Sequence, residues 1–116
     1  MQINMKEAEK QIPISVGVNN TKNRITIFCS NFKKKLVLTG VAVNYDTGII
    51  GKPIVEINLR KELGTLFEWE LKSSGGNPDD YIWVQISCRG TDGTYAVLEA
   101  AVKTITLEKK YEDDFF

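Results

Sequence analysis

The sequence predicts an all-β domain, most simply a single antiparallel β-sandwich of about seven short strands. Three observations lead to this prediction. Apolar and polar residues alternate with a period of two over most of the chain. Turn sequences such as Asp46-Thr47-Gly48 and Thr91-Asp92-Gly93 separate the alternating segments. The length of 116 residues suits one domain with a core of its own.

The first three strands are predicted from their apolar stripes. The residues expected to face inward on the first strand and on the second, RITIFCS, are Ile12, Ile14, Val16, Val18, Ile25, Ile27 and Cys29. The third strand, LVLTGVAVNY, is long and contains Gly40. A glycine inside a strand pattern predicts a bulge or a bend.

Three further strands follow in the second half of the chain. KPIVEINL places Val55, Ile57 and Leu59 on one side. YIWVQISC points Ile82, Val84, Ile86 and Cys88 inward and leaves Trp83 on the other face. In TYAVLEAAVKTITL the apolar positions change from even to odd numbers near residues 103–104, which predicts a bulge there.

The segment NLRKELGTLFEWELKSSGG fits two structures. A helix over residues 59–72 would have Asn58 as its N-cap and Gly75 as the residue after its C-cap. A helix between the strands and the last hairpin would suit an OB-like barrel. This barrel is the alternative to the sandwich.

The same segment also alternates as a strand. Over residues 66–71, Phe67, Trp69 and Leu71 would share a buried face, with acidic residues between them. Gly64 in the middle of the segment would cost a helix about 1 kcal/mol. We therefore predict the strand.

The strand number and order resemble those of immunoglobulin-like and fibronectin-III-like sandwiches. Cys29 on the second strand and Cys88 on the next-to-last occupy the places where immunoglobulin domains carry their inter-sheet pair. The sequence departs from that family because LVLTGVAVNY lacks a tryptophan and Tyr81 precedes Cys88 by seven residues instead of two. The resemblance implies two stacked antiparallel sheets.

The composition argues against catalysis. Fifteen basic residues balance fifteen acidic ones, which gives no overall attraction to nucleic acid or membrane. The chain contains no histidine, the commonest general base and metal ligand. Two cysteines without histidine do not make a standard zinc site. We therefore predict no catalytic residues, no metal, no cofactor and no enzymatic activity.

The N-terminal sequence MQINMKEAEK lacks the apolar run of a signal peptide, and no segment approaches the roughly 18 apolar residues of a membrane span. The sequence thus predicts synthesis in a cytoplasm without secretion. In that compartment Cys29 and Cys88 are expected to be buried thiols, and a disulfide between them is the alternative.

A basic turn is the candidate contact with nucleic acid. Lys33, Lys34 and Lys35 follow Phe32 between the second and third strands. Such a turn can contact phosphates, and a nearby aromatic ring can stack on a base. Trp83, opposite the apolar stripe of its strand, is the aromatic residue expected to be exposed, whereas Trp69 is expected in the core. The competing interpretation of the turn is an ordinary solvated hairpin tip.

We divide the chain into an N-terminal arm (residues 1–11), the sandwich (12–108) and a C-terminal arm (109–116). The partner-docking residues predicted in the C-terminal arm are Tyr111, Glu112, Asp113, Asp114, Phe115 and Phe116. Acidic residues followed by phenylalanine resemble the tip of bacterial and phage single-stranded DNA-binding proteins. That resemblance implies a peptide that recruits a protein partner.

Small immunoglobulin-like sandwiches of this kind also resemble the decoration and auxiliary proteins of phage virions. This resemblance implies a structural subunit of a larger assembly, such as a virion, docked on a neighbouring subunit or other protein through its arms. The alternative is a single-stranded DNA-binding protein with a partner-recruiting tip. A helix over residues 59–72, or a concave surface shared by Trp83 and residues 33–35, would favour the alternative, and a strand over residues 66–71 would favour the sandwich.

Overall fold

The computed structural model describes residues 5–110 and contains eight strands and one α-helix. The strands are β1 (Pro13–Asn19), β2 (Arg24–Cys29), β3 (Lys34–Thr39), β4 (Val43–Asp46), β5 (Ile54–Arg60), β6 (Ile82–Arg89), β7 (Tyr95–Val102) and β8 (Thr104–Lys109). Helix α1 (Thr65–Ser73) lies between β5 and β6. One antiparallel sheet has the order β1-β2-β3-β8, the other β4-β7-β6-β5. The predicted all-β sandwich is confirmed, with eight strands instead of about seven.

The core lies between the two sheets and consists of the inward side chains of both. Its fully buried large residues are Ile25, Ile27, Leu36, Leu38, Ile49, Ile54, Ile86, Leu98, Ile105, Val84 and Val102. On β6, and on β7 as far as Ala100, the buried positions alternate with partly exposed ones, as the period-2 pattern predicts; the last residues of β7, Ala101 and Val102, are both buried. Near the start of β5 a register shift between Ile54 and Glu56 leaves Val55 exposed, although the sequence pattern grouped it with the inward residues.

A long two-stranded antiparallel pairing, β3-β4 with β7-β8, crosses from one sheet to the other and connects them. β3 pairs with β8 in the first sheet, and their continuations β4 and β7 pair in the second. The chain bends at Gly40, which has φ +65°, and at Lys103, whose backbone N–H donates to Thr39 O at 3.0 Å. The bend predicted at Gly40 is thus confirmed, because it marks a change of sheet. The bulge predicted near residues 103–104 is wrong: the pairing of β3 with β8 reaches Thr39 and Thr104 without a register shift, and the change of parity reflects the passage from one sheet to the other.

The predicted strand over residues 66–71 is wrong, because residues 65–73 form helix α1. The helix begins after Gly64, which lies at its N-cap and therefore costs it nothing in the interior. Phe67 and Leu71, four residues apart, are buried on the same face, whereas Trp69 points away and is exposed. The alternative helix over 59–72 was also misplaced at its start, because β5 continues to Arg60.

Gly75 follows the C-cap of α1, the position that the sequence predicts for it when this segment is a helix. Gly75 has φ +86°, and its N–H donates to Lys72 O at 3.1 Å. The N–H of Gly76 donates to Leu71 O at 2.9 Å. These two bonds form a Schellman motif, which satisfies the last helical carbonyls and stops the helix.

The described part of the predicted N-terminal arm packs on the sandwich. Residues Met5–Ala8 form a short 3-10 helix, and both Met5 and Ala8 are buried in the core. The backbone N–H of Lys10 donates to Ile54 O at 2.7 Å, and the N–H of Ile54 donates to Gln11 O at 2.9 Å. Residues 5–11 therefore close the end of the sandwich between β1 and β5.

Candidate functional site

The basic turn lies at the start of β3, where its lysines take part in contacts within the domain. Lys34 Nζ donates to Glu7 Oε2 at 2.7 Å. Lys35 Nζ lies 5.8 Å from the centre of the Phe28 ring. Lys33 is exposed, and Phe32 packs partly against the core. This arrangement joins the turn to the 3-10 helix and to β2.

Trp83 lies on the outer face of its sheet, as predicted, but it is not an open contact surface. Helix α1 covers it: the Phe67 ring meets the indole edge-on, with centroids 6.0 Å apart and an interplanar angle of 65°. The Arg60 guanidinium lies 5.7 Å from the indole ring. The Trp83 Nε1 atom is buried and has no hydrogen-bond partner among residues 5–110.

The structure does not bring the basic turn and Trp83 together. Lys35 pairs with Phe28 on the outer face of the β1-β2-β3-β8 sheet. Trp83 lies on the outer face of the other sheet, beside Ala101. The core therefore separates the two groups. The remaining predicted contacts, residues 111–116 of the C-terminal arm, lie outside the described residues.

The most exposed apolar pair on α1 was missed by the sequence analysis. Leu66 and Trp69 are 64% and 66% exposed, and they are neighbours on the helix surface because they are three residues apart. The Ser73 hydroxyl donates to Trp69 O at 2.9 Å one turn later. If residues 65–73 had been interpreted as a helix, the sequence would have placed Trp69 on the face opposite Phe67.

A cleft of about 420 Å³ opens beside the C-terminus of α1. It is lined by the bend at Gly40 between β3 and β4, by the loop at Gly76 and by the side chains of Tyr81 and Lys103. Lys103 Nζ lies 5.7 Å from the centre of the Tyr81 ring. The Lys103 stem also lies against Gly40, so a Cβ there would approach Lys103 Cγ to 2.7 Å. The cleft is therefore shaped by the same bend that joins the sheets.

The two cysteines are free and fully buried on facing sheets. Burial raises the pKa of the Cys29 thiol to about 11, although the charge of Lys110 acts in the opposite direction. Burial, followed by the neighbouring Cys29 and Asp46, raises the pKa of the Cys88 thiol to about 12. A nucleophilic cysteine needs a thiolate. These thiols are consequently packing groups that stay protonated at neutral pH.

We expect the free energy of unfolding to fall as the pH rises from about 9 to 11. In the unfolded chain both cysteines ionise at about pH 8.5. In the folded protein Cys29 keeps its proton until about pH 11 and Cys88 until about pH 12. Their contribution is therefore complete below the unfolded pKa and decreases by up to about 1.4 kcal/mol per pH unit for each thiol. Urea unfolding at pH 8 and pH 10 measures the difference.

The Cys29→Ala/Cys88→Ala variant is the control for that measurement, because it lacks both thiols and is otherwise identical to the wild type. Its stability is expected to depend less steeply on pH between 8 and 10. An identical dependence in the two proteins would contradict the assignment of the shifted pKa values to the thiols.

Other kinds of site receive no support from the described chain. Within residues 5–110 no group of three or more cysteine, aspartate and glutamate side chains is arranged to hold a metal ion. No helix in that same range is long and apolar enough to cross a bilayer. Comparison of the chain with protein-family models, with curated proteins and with solved structures found no match.

Proposed function

We propose that this protein is a non-enzymatic structural subunit of a larger assembly and that helix α1 docks it there through Leu66 and Trp69. The observation that carries the proposal is the exposure of Trp69, a large aromatic side chain on a helix whose other face is already buried. Tryptophan is enriched among the residues that dominate the energy of protein interfaces. We name Leu66 and Trp69 the α1 pair.

The charges around the α1 pair indicate the chemistry of the partner. Glu62 is exposed just before the helix, and Glu70 is exposed within it. Glu68 is paired with Lys72, whose Nζ lies 2.8 Å from Glu68 Oε1. Lys61 is exposed next to Glu62, so the charges of residues 61–72 leave one excess negative charge, which we assign to Glu70 beside the apolar centre. The complementary partner surface has an apolar pocket with a basic residue at its rim.

A virion is the kind of assembly that the resemblance to phage decoration and auxiliary proteins suggests, and it remains part of the proposal. The C-terminal residues 111–116 would add a second contact of the same composition, aromatic with acidic flanks. Single-stranded DNA binding is the competing function. The geometry does not favour it, because Trp83 is covered by α1 and residues 33–35 lie on the other sheet.

Sedimentation of the protein from the cells or particles that contain it tests the proposal. The wild-type chain is expected in a fast-sedimenting fraction, and the Leu66→Ser/Trp69→Ser variant is expected to move to the top of the gradient. Loss of one interface tryptophan typically costs about 2 kcal/mol, or about 30-fold in Kd. Both side chains are exposed, so the fold should survive the change.

The matched control is Tyr95→Ser, which removes an aromatic side chain that is 73% exposed on β7. This variant is expected to sediment with the wild type. A wild-type protein that stays at the top of the gradient, or a double variant that sediments as fast as the wild type, would overturn the proposal. Tight, salt-sensitive binding of an oligo-dT probe would favour the DNA function instead.

A further inference from the structure

Strand β1 forms a free edge of its sheet without the charges that normally protect one. From Gln11 to Thr21 the sequence QIPISVGVNNT contains no charged residue. β1 occupies the outside position in the order β1-β2-β3-β8, so one side of its backbone has no neighbouring strand among residues 5–110. An uncharged edge strand is a template for pairing with another chain.

The other three edge strands carry features that discourage such pairing. β4 has only four residues and ends at Asp46. β5 contains Glu56 and Arg60 and has a register shift at its start. β8 ends with Glu108 and Lys109. Short length and charges are among the usual means by which natural sheets block their edges. β1 has seven residues and no charge, so its only irregularity is the register shift beside Pro13 at its start.

Part of the apolar surface of β1 is open. Val18 is 53% exposed and Ile14 is 37% exposed, although Val16 packs partly against the core. The register shift in β1 lies between Pro13 and Ser15, which leaves a regular stretch from Ser15 to Asn19. This regular stretch, with two valines on the inner side, is where another strand can pair.

The regular stretch is symmetric about its centre. Reading outward from Gly17, each side presents a valine (Val16, Val18) and then a small polar residue (Ser15, Asn19). A twofold axis requires such self-complementarity, because each residue meets its counterpart from the same surface of the other copy. The pattern therefore fits one occupant best, which is β1 of a second molecule.

We propose that β1 pairs antiparallel with β1 of a second copy about a twofold axis at Gly17, which joins two four-stranded sheets into one continuous sheet. Val16 of each copy then lies opposite Val18 of the other, and β-branched residues make favourable cross-strand pairs. Ser15 lies opposite Asn19 on the outer face. Gly17 lies opposite Gly17, and no like charges meet anywhere along the pairing.

The proposal does not depend on the α1 pair, because α1 packs on the other sheet. The two interfaces can therefore fail separately. The Leu66→Ser/Trp69→Ser variant is expected to keep the β1 dimer, and a β1 variant is expected to keep the α1 surface. A homodimer held by β1 also gives the proposed assembly subunit two α1 surfaces.

Cysteine cross-linking tests the register of the pairing. A Cβ at position 17 would meet nothing closer than Thr26 O at 3.8 Å, so Gly17→Cys is accommodated. Directly opposite residues of antiparallel strands have Cα atoms about 4.5–5.5 Å apart, a distance that a disulfide spans. Mild oxidation of this variant is expected to give a covalent dimer through the introduced thiol. The native Cys29 and Cys88 are buried and are not expected to compete with it.

The control for cross-linking is Val55→Cys, at a position on the β5 edge that is 52% exposed. It is expected to remain monomeric on a non-reducing gel under the same oxidation. Equal cross-linking of the two variants would show random collision and would overturn the register.

Sedimentation velocity of the uncross-linked protein tests the interface itself. The wild type is expected to dimerise in a concentration-dependent manner. Val18→Lys places two lysines in the pairing region and is expected to weaken dimerisation by at least about tenfold. Val55→Lys, matched in exposure, is expected to dimerise as the wild type does. A wild type that stays monomeric up to about 1 mM, or equal weakening by both lysines, would overturn the proposal.

Discussion

Phe67→Ala is expected to lower the free energy of unfolding by about 3–5 kcal/mol, or to release helix α1 from the sheet. The Phe67 side chain is only 6% exposed and makes the edge-on contact with Trp83. Removing it leaves a cavity between helix and sheet and removes an aromatic pair worth about 0.5–1.5 kcal/mol. The expected loss is a large part of the total stability of a domain, about 5–15 kcal/mol.

Urea unfolding followed by circular dichroism measures the loss of stability. Tryptophan fluorescence distinguishes destabilisation of the whole domain from release of α1 alone. In a Trp69→Phe background the emission comes from Trp83, because the chain has two tryptophans. Release of α1 alone would shift this emission to longer wavelength while the strand signal persists. Leu66→Ala, on the exposed face of the same helix, is the control and is expected to cost less than about 0.5 kcal/mol. Equal effects of the two variants would contradict the described packing of α1.

The sequence predicted most of the sheets because burial alternates along their strands. The buried positions of β6, and of β7 as far as Ala100, could be identified by parity, since they alternate there with partly exposed positions. Gly40 and the change of parity near Lys103 also marked the places where the two paired segments, β3-β4 and β7-β8, change sheet. These features are local, so they are visible without knowledge of the partner strands.

Helix α1 could not be assigned by parity because its pattern satisfies two periods. Phe67 and Leu71 are four residues apart, which places them on one face of a helix and also on one face of a strand. The difference lies in Trp69, which a strand would bury beside them and the helix exposes. The Gly75-Gly76 cap favoured the helix, but its energy is small beside the burial of three aromatic or aliphatic residues.

The predicted exposure of the two tryptophans was reversed for the same reason: Trp83 is covered and Trp69 is exposed. The sequence identified the outer face of β6 and therefore predicted an exposed Trp83, but it did not show that α1 would cover that face. Because the inner side of α1 covers Trp83, Trp69 lies on the outer side of the helix. The candidate surface thus follows from a tertiary contact, whereas the uncharged, symmetric pattern of β1 is present in the sequence itself and its position at a sheet edge comes from the structure.

Gly40→Val is expected to destabilise the protein by about 2–6 kcal/mol because it acts on the bend that joins the two sheets. With φ +65° a β-branched residue is strained, at a cost of about 1–3 kcal/mol. The new side chain would also meet Lys103, whose Cγ lies 2.7 Å from the position of a Cβ. Such overpacking costs about 1–3 kcal/mol more. Urea unfolding of the purified variant measures the sum.

Gly93→Val separates strain from crowding, because Gly93 also has a positive φ of +87° but a Cβ there would meet nothing within 4 Å. The Gly93 variant should therefore show the cost of strain alone, and the Gly40 variant should be less stable by the cost of displacing Lys103. Gly40→Val combined with Lys103→Gly is expected to recover only the crowding part in a double-mutant cycle. If both valine variants cost the same, the contact between the two bends does not hold the sheets together, and the crossing depends on the Gly40 backbone alone.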